Sequence, residues 1–217
     1  MQRILEPELM EDFEQVKAYA EADFAEPHND FIGRLQTVFA NPAFDGAVLD
    51  LGCGPGDVTK RFASAFPLCR IDAVDGSKPM LDYAINAINA QIKQRINFIH
   101  GRLPDVSLLN RYGVIYSNSL LHHLPDPAVL WQTIKKHAQS GAVVVVMDLL
   151  RPESQEAAKN MVNTYATNEP DILQRDFYNS LLAAFTINEI KEQLDAAGMP
   201  LMASQISDRH VFISGTL

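Results

Sequence analysis

The chain has 217 residues, 47% of them hydrophobic, which suits one domain with a sizeable buried core. Its 18 basic residues against 27 acidic ones give a formal charge of −9, which argues against tight binding to a nucleic-acid backbone. No apolar run is long enough for a membrane span, which takes roughly 18 residues or more. The acidic opening MQRILEPELMEDFE lacks the apolar core of a signal peptide, and Cys53 and Cys69 make no disulfide framework. A reduced cytoplasmic protein with no membrane or nucleic-acid partner is expected.

Residues 1–42 read as one or two amphipathic helices ahead of the first strand. From Gly46 onward, short apolar runs alternate with helical patterns, as in a parallel α/β sheet. The expected strands are 47–51, 70–75, 96–100, 112–118 and 142–148, then 201–206 and 209–215. The last two are separated only by residues around Asp208, too few for a crossover helix, so they should form an antiparallel hairpin. Ser77 is placed to cap a helix bearing Met80, Leu81, Ala84, Ile85 and Ile88. Asp126 with Pro127 should open another helix, on which Val129, Leu130, Thr133, Ile134, His137 and Ala138 recur at helical spacing. Residues 151–185 are mostly helical by pattern. Thr186-Ile187-Asn188-Glu189 is a capping box, and Gly198 is placed to end that last helix. The resulting division is one domain: a helical lid at 1–42, a core at 43–150, a helical insertion at 151–185 and a closing helix with hairpin at 186–217. Ligands of open α/β sheets bind beyond the carboxyl ends of the strands, where both flanking segments could cover them.

The first strand, Val48-Leu49-Asp50-Leu51, breaks into Gly52, Gly54 and Gly56 at alternate positions. Glycine there permits positive φ and leaves no Cβ between backbone and ligand. The second strand ends on Asp75, 19 residues after Gly56, where a carboxylate can accept from the hydroxyls of a ribose. A dinucleotide loop usually reads G-x-G-x-x-G, whereas this one reads G-x-G-x-G with Pro55 inside it.

Five segments in order resemble the class I S-adenosylmethionine (SAM)-dependent methyltransferases: VLDLGCGPG, VDGSKPML, GVIYSNSLLHHLPDP, GAVVVVMDLLRP and TINEIKEQLDAAGM. The resemblance is strong over 46–150 and looser over 186–215. It implies a Rossmann-like, mostly parallel seven-stranded sheet with helices on both faces, SAM as cofactor and S-adenosylhomocysteine (SAH) as product. It implies that Gly52, Cys53 and Gly54 run along the amino-acid part of SAM, with Asp50 helping to hold its ammonium end. Asp75 would bind the ribose beside Gly76 and Ser77, and Met80 would pack on the adenine face or simply fill core. Gly101, Arg102 and Leu103 would flank the adenine edge, and Asn118 and Ser119 would lie near the sulfonium. Many relatives carry an acid where this chain has Arg102, which cannot accept a hydrogen bond. Asp105 or a backbone carbonyl would then replace it, or the guanidinium would stack on the ring.

Methyl transfer from a sulfonium is an in-line displacement, in which positioning supplies much of the rate. A base near pH 7 helps a weak nucleophile, and His122, just past the fourth strand, is the first choice to face the substrate. His123 is expected to pack under the following helix, with a lesser part in the substrate region. Tyr19 and Phe24 are candidate lid residues, and Arg151 and His210 candidate substrate contacts. Adjacent histidines on one turn rarely converge on one ion, so no metal is expected. The expected activity is methyl transfer to an O, N or C atom of a small-molecule metabolite. The rivals are a non-catalytic SAM-binding or partner-binding protein on the same fold and, disfavoured by the glycine spacing, a NAD(P)-linked oxidoreductase.

Overall fold

A computed structural model describes residues 1–7 and 9–217; Glu8, within the expected lid, lies outside the described residues. Two helices open the chain, α1 (Phe13–Glu21) and α2 (Ala25–Val38). The core alternates β1 (Ala47–Leu51), α3 (Asp57–Ala65), β2 (Arg70–Asp75), α4 (Lys78–Ala87), the short α5 (Ala90–Lys93) and β3 (Ile96–His100). It continues through β4 (Tyr112–Asn118), a single 3-10 turn (Leu121–His123), α6 (Ala128–His137) and β5 (Ala138–Leu149). The insertion forms α7 (Gln155–Tyr165) and α8 (Asp171–Ala183), and α9 (Ile187–Ala197), β6 (Leu201–Gln205) and β7 (His210–Thr216) close the chain.

Among the described residues the strands make one seven-stranded sheet in the order β3-β2-β1-β4-β5-β7-β6. The first five in that order run parallel, and β7 joins β5 and β6 antiparallel, as the short connection at Asp208 requires. The strand order reverses between β1 and β4, which opens a crevice at their carboxyl ends.

Strand alternation sorts the core into two layers. Leu49, Ile115 and Val144 face Leu130, Trp131 and Ile134 of α6 and Ile190 and Leu194 of α9. Their neighbours Val48, Val114 and Val145 face Phe31 and Leu35 of α2 and Phe62 of α3 on the opposite side. A third cluster, Leu149, Ala158, Val162, Leu181 and Leu182, ties α7 and α8 to the end of β5.

The helix ends follow local chemistry. Ser77 accepts from the Met80 N–H, Thr186 and Glu189 form a reciprocal capping box, and Gly198 ends α9 at φ 60°. At α6, Asp126 accepts from the Ala128 N–H but Pro127 occupies the cap itself. β5 begins at Ala138, earlier than the expected Ala142, because α6 passes into the strand without a loop. A register shift against β4, between Tyr112 and Val114, absorbs the extra residues.

Candidate functional site

The crevice at the switch point is a cavity of about 220 Å³ whose floor is the loop between β1 and α3. The carbonyl of Val74 on β2 accepts the N–H groups of Gly52 and Cys53 at 2.9 and 3.0 Å, stitching the loop to the neighbouring strand. The Asp75 carboxylate fixes the rest: Oδ2 accepts from the Gly54 N–H at 2.8 Å and Oδ1 from the Ser77 N–H at 2.7 Å. Burial pushes Asp75 above the usual carboxylate range, against the pull of those two N–H groups. Gly54 has φ +52°, and a Cβ there would meet nothing within 4 Å, so its backbone borders open space. Gly56 has φ +82°, and its Cβ would strike Ala84 Cβ at 2.9 Å, so this glycine is required by packing.

Asp50 lies at the back of the cavity, 1% exposed, accepting from Thr59 Oγ1 at 2.6 Å. Burial raises its pKa to about 7 although Thr59 hydrogen-bonds to it. At the end of β4, Ser119 adopts φ 57°, an unusual conformation for a residue other than glycine. Beside it, the buried Asn118 Oδ1 has no hydrogen-bond partner among the described residues.

A second cavity of about 490 Å³ shares Met10, Tyr19, Phe24, His28, Asn118, Ser119 and His123 with the first. On its wall, His122 Nδ1 lies 2.5 Å from Asp148 Oδ1, while Asp148 also accepts from the Leu121 and Leu149 N–H groups. Burial opposes charge on His122, but the Asp148 charge and hydrogen bond outweigh it and raise the imidazole pKa. Burial likewise opposes ionisation of Asp148, yet His122 holds it below its ordinary value. Glu6, from the N-terminal segment, brings Oε1 to 3.5 Å from His122 Nε2 and 3.2 Å from His123 Nδ1. Burial raises Glu6 to about 7, whereas burial and then His122 push His123 down to about 3.

A family model described as a methyltransferase domain matches residues 49–144, the segment that builds both the glycine loop and the β4 turn. Over that segment the chain is similar to SAM-dependent methyltransferases. Trans-aconitate 2-methyltransferase of Deinococcus radiodurans is 31% identical over 122 residues, 56% of this chain and 44% of that protein. Malonyl-[acyl-carrier protein] O-methyltransferase of Priestia megaterium is 32% identical over 119 residues, 55% of this chain and 40% of that protein. The matches thus span less than half the length of these curated relatives. In three dimensions the chain resembles a SAM-dependent methyltransferase from Aquifex aeolicus with a TM-score of 0.70 at 16% identity, covering 95% of this chain and 99% of that one. The plantazolicin methyltransferase BpumL, solved with SAH and a triazolic analogue, gives 0.69 at 16% identity over 94% and 91% of the two chains.

The structure brings every position that the methyltransferase resemblance implied for the cofactor into the lining of the smaller cavity. Asp50, Gly52, Cys53, Gly54, Asp75, Gly76, Ser77, Met80, Gly101, Arg102, Leu103, Asn118 and Ser119 all border it. Asp105 does not border it, and the Arg102 carbonyl already accepts from the Val106 N–H. Cys53 is a buried thiol with its pKa raised by burial, unsuited to act as a nucleophile. Tyr19 and Phe24 pack with tilted rings, 5.0 Å between centroids, and border both cavities, and His210 borders the larger one.

Three expectations need correction. The Asp148 carboxylate bonded to His122 Nδ1 raises the imidazole pKa, which works against His122 as a free base. His123, expected under α6, borders both cavities. Arg151 borders neither: it pairs with Glu189 at 2.6 Å and donates to the Ala184 carbonyl, tying β5 to α9. Sequence reading missed Glu6, Asp148, Thr59 and Leu9, whose side chain covers Gly76. Only Thr59 had a local signal, one helical turn into α3.

Proposed function

We propose that this chain transfers the methyl group of SAM to an O, N or C atom of a small molecule. The reading rests on one observation above the others: two cavities meet at Asn118, Ser119, Tyr19, Phe24 and His123. SAM would occupy the smaller one, with its amino-acid part along Gly52–Gly54, its ammonium towards Asp50 and its ribose on Asp75. The acceptor would occupy the larger. SAM would supply the methyl group, leaving as the neutral thioether of SAH while the acceptor's proton passes to solvent, and Asn118 and Ser119 would border the point of transfer. Catalysis by this chain's own residues is mainly alignment and exclusion of water by the cover formed from 1–42 and 151–185 around the core, all within one domain.

The larger cavity favours an uncharged acceptor over an acidic one. Asp23, Glu26, Glu169 and Asp176 border it, while its one arginine, Arg209, bonds Asp208 and lies 3.4 Å over the Tyr165 ring. The relatives' names specify acidic acceptors, trans-aconitate and a malonyl group, and a like charge here would meet that acidic lining. The test is SAH release from SAM across parallel sets of amines, alcohols and carboxylic acids. Turnover with amines or alcohols is expected. Turnover confined to polycarboxylates would overturn the acceptor class, and failure to bind SAM or SAH in a calorimeter would overturn the whole reading.

A further inference from the structure

We propose that Glu6, His122 and His123 form a three-ligand site for a divalent transition-metal ion, zinc by donor type. Their ligand atoms lie within 4.8 Å of one another, and the two separations from Glu6 Oε1 are 3.5 Å to His122 Nε2 and 3.2 Å to His123 Nδ1. Tetrahedral zinc with bonds of about 2.0–2.1 Å sets its ligand atoms roughly 3.3 Å apart. Two imidazoles and one glutamate are also a donor set found in open zinc sites, where the fourth position is left to solvent or substrate.

Hydrogen bonding does not account for this cluster. Glu6 Oε1 and His123 Nδ1 are buried with no hydrogen-bond partner among the described residues, although they face each other. Leaving two such atoms unpaired is costly, and a shared cation would satisfy both at once. The surroundings are those of supported ligands. Asp148 holds His122 through Nδ1, which directs Nε2 at Glu6, and Asp148 is itself fixed by two backbone N–H groups. Glu6 Oε2 accepts from Ser180 Oγ at 3.2 Å, leaving Oε1 for the ion. Arg3 donates to the His122 and Leu124 carbonyls at 2.8 and 2.9 Å and so fixes the turn that carries both histidines.

Both histidines border the larger cavity, so the open position lies on the acceptor side. An acceptor heteroatom bound there would have its pKa lowered. That consequence rests on the proposed methyl transfer; ion binding does not.

The test uses the untagged chain, stripped with a chelator and titrated with zinc against a chromophoric competitor and with cobalt for its visible spectrum. One equivalent of zinc and a tetrahedral cobalt spectrum are expected. Glu6→Gln and His123→Ala should abolish both, while His210→Ala, in the same cavity, should keep them. Asp148→Asn should weaken zinc by about 10- to 100-fold, the scale for residues that orient ligands. SAH titration of each stripped variant reports separately on the fold and the cofactor cavity. Absence of zinc binding by the stripped wild type, or binding that persists in His123→Ala, overturns the proposal and leaves the methyltransferase reading untouched. Should Glu6→Gln not fold, the wild-type spectrum and His123→Ala still decide it.

Discussion

Gly54 and Gly56 sit two residues apart in one loop, both with positive φ, yet alanine should affect them in opposite ways. At Gly56 the new Cβ would lie 2.9 Å from Ala84 Cβ and 3.1 Å from Ile88 Cδ1. Left-handed strain costs about 1–2 kcal/mol and overpacking about 1–3, offset by about 0.4–1 from the stiffer unfolded chain. Gly56→Ala should therefore destabilise the fold by about 1–4.5 kcal/mol. At Gly54, φ is +52° and no atom lies within 4 Å of the added Cβ, so only the strain and its offset remain, about 0–1.5 kcal/mol. That Cβ instead enters the space assigned to the amino-acid part of SAM. SAH affinity should fall at least tenfold, or about 1.4 kcal/mol. Urea denaturation gives the stabilities, and calorimetric SAH titration well below the unfolding midpoint gives the affinities. SAH binding within threefold of wild type in Gly54→Ala would refute the placement of the ligand. Equal destabilisation by both substitutions would refute the packing argument.

Asp75→Asn leaves an amide N–H2 facing one of the two backbone N–H donors that the carboxylate now accepts. SAH affinity should fall by about 1–3 kcal/mol, and an unchanged calorimetric Kd would move the ribose elsewhere. Asp50 keeps its proton up to about pH 7 in the folded chain, while the unfolded carboxyl loses it near its ordinary value of about 3.9. Between those values the folded state binds more protons, so stability should fall as pH rises and level off above 7; Asp50→Asn should remove that slope in denaturant titrations. If the SAH ammonium faces the ionised Asp50, SAH affinity should rise from pH 6 to pH 8 in the wild type and stay flatter in Asp50→Asn. Arg151→Met should cost about 1–3 kcal/mol of stability through the loss of the Glu189 pair and the Ala184 bond, with SAH affinity unchanged. A large loss of binding with intact stability would restore Arg151 to the site.

The parts of the fold legible in the sequence are those decided by local physics. β1 to β4 coincide with the expected strands because each is a short apolar run bounded by turn residues. The capping box at Thr186 and the stop at Gly198 were readable because a cap is made by residues three or four apart. β5 was placed short because Ala138 continues the helical spacing of α6, and only its pairing with Tyr112 makes it a strand. Pairing of that kind is tertiary and leaves no mark in the periodicity of one segment.

The same division runs through the site. The cofactor positions come from strand ends and the turns that follow them, so each motif carries its own geometry into the crevice. The histidine turn is different, because its chemistry depends on what the rest of the chain brings to it. Read alone, Leu121-His122-His123-Leu124 offers a base and a packing residue. Asp148 arrives from the adjacent strand, 26 residues on, and fixes the orientation of one ring. Glu6 arrives from the N-terminal segment, held in place where Arg3 donates to Ala183, His122 and Leu124 and the Ile4 N–H donates to Leu182. Without that anchoring, the expectation against a metal was sound: two adjacent histidines lack a third ligand. The carboxylate supplied by the anchored segment changes the reading, and it reverses the roles of the pair. His122 becomes a ring oriented by Asp148 rather than a free base, and His123 becomes the ring that borders both cavities.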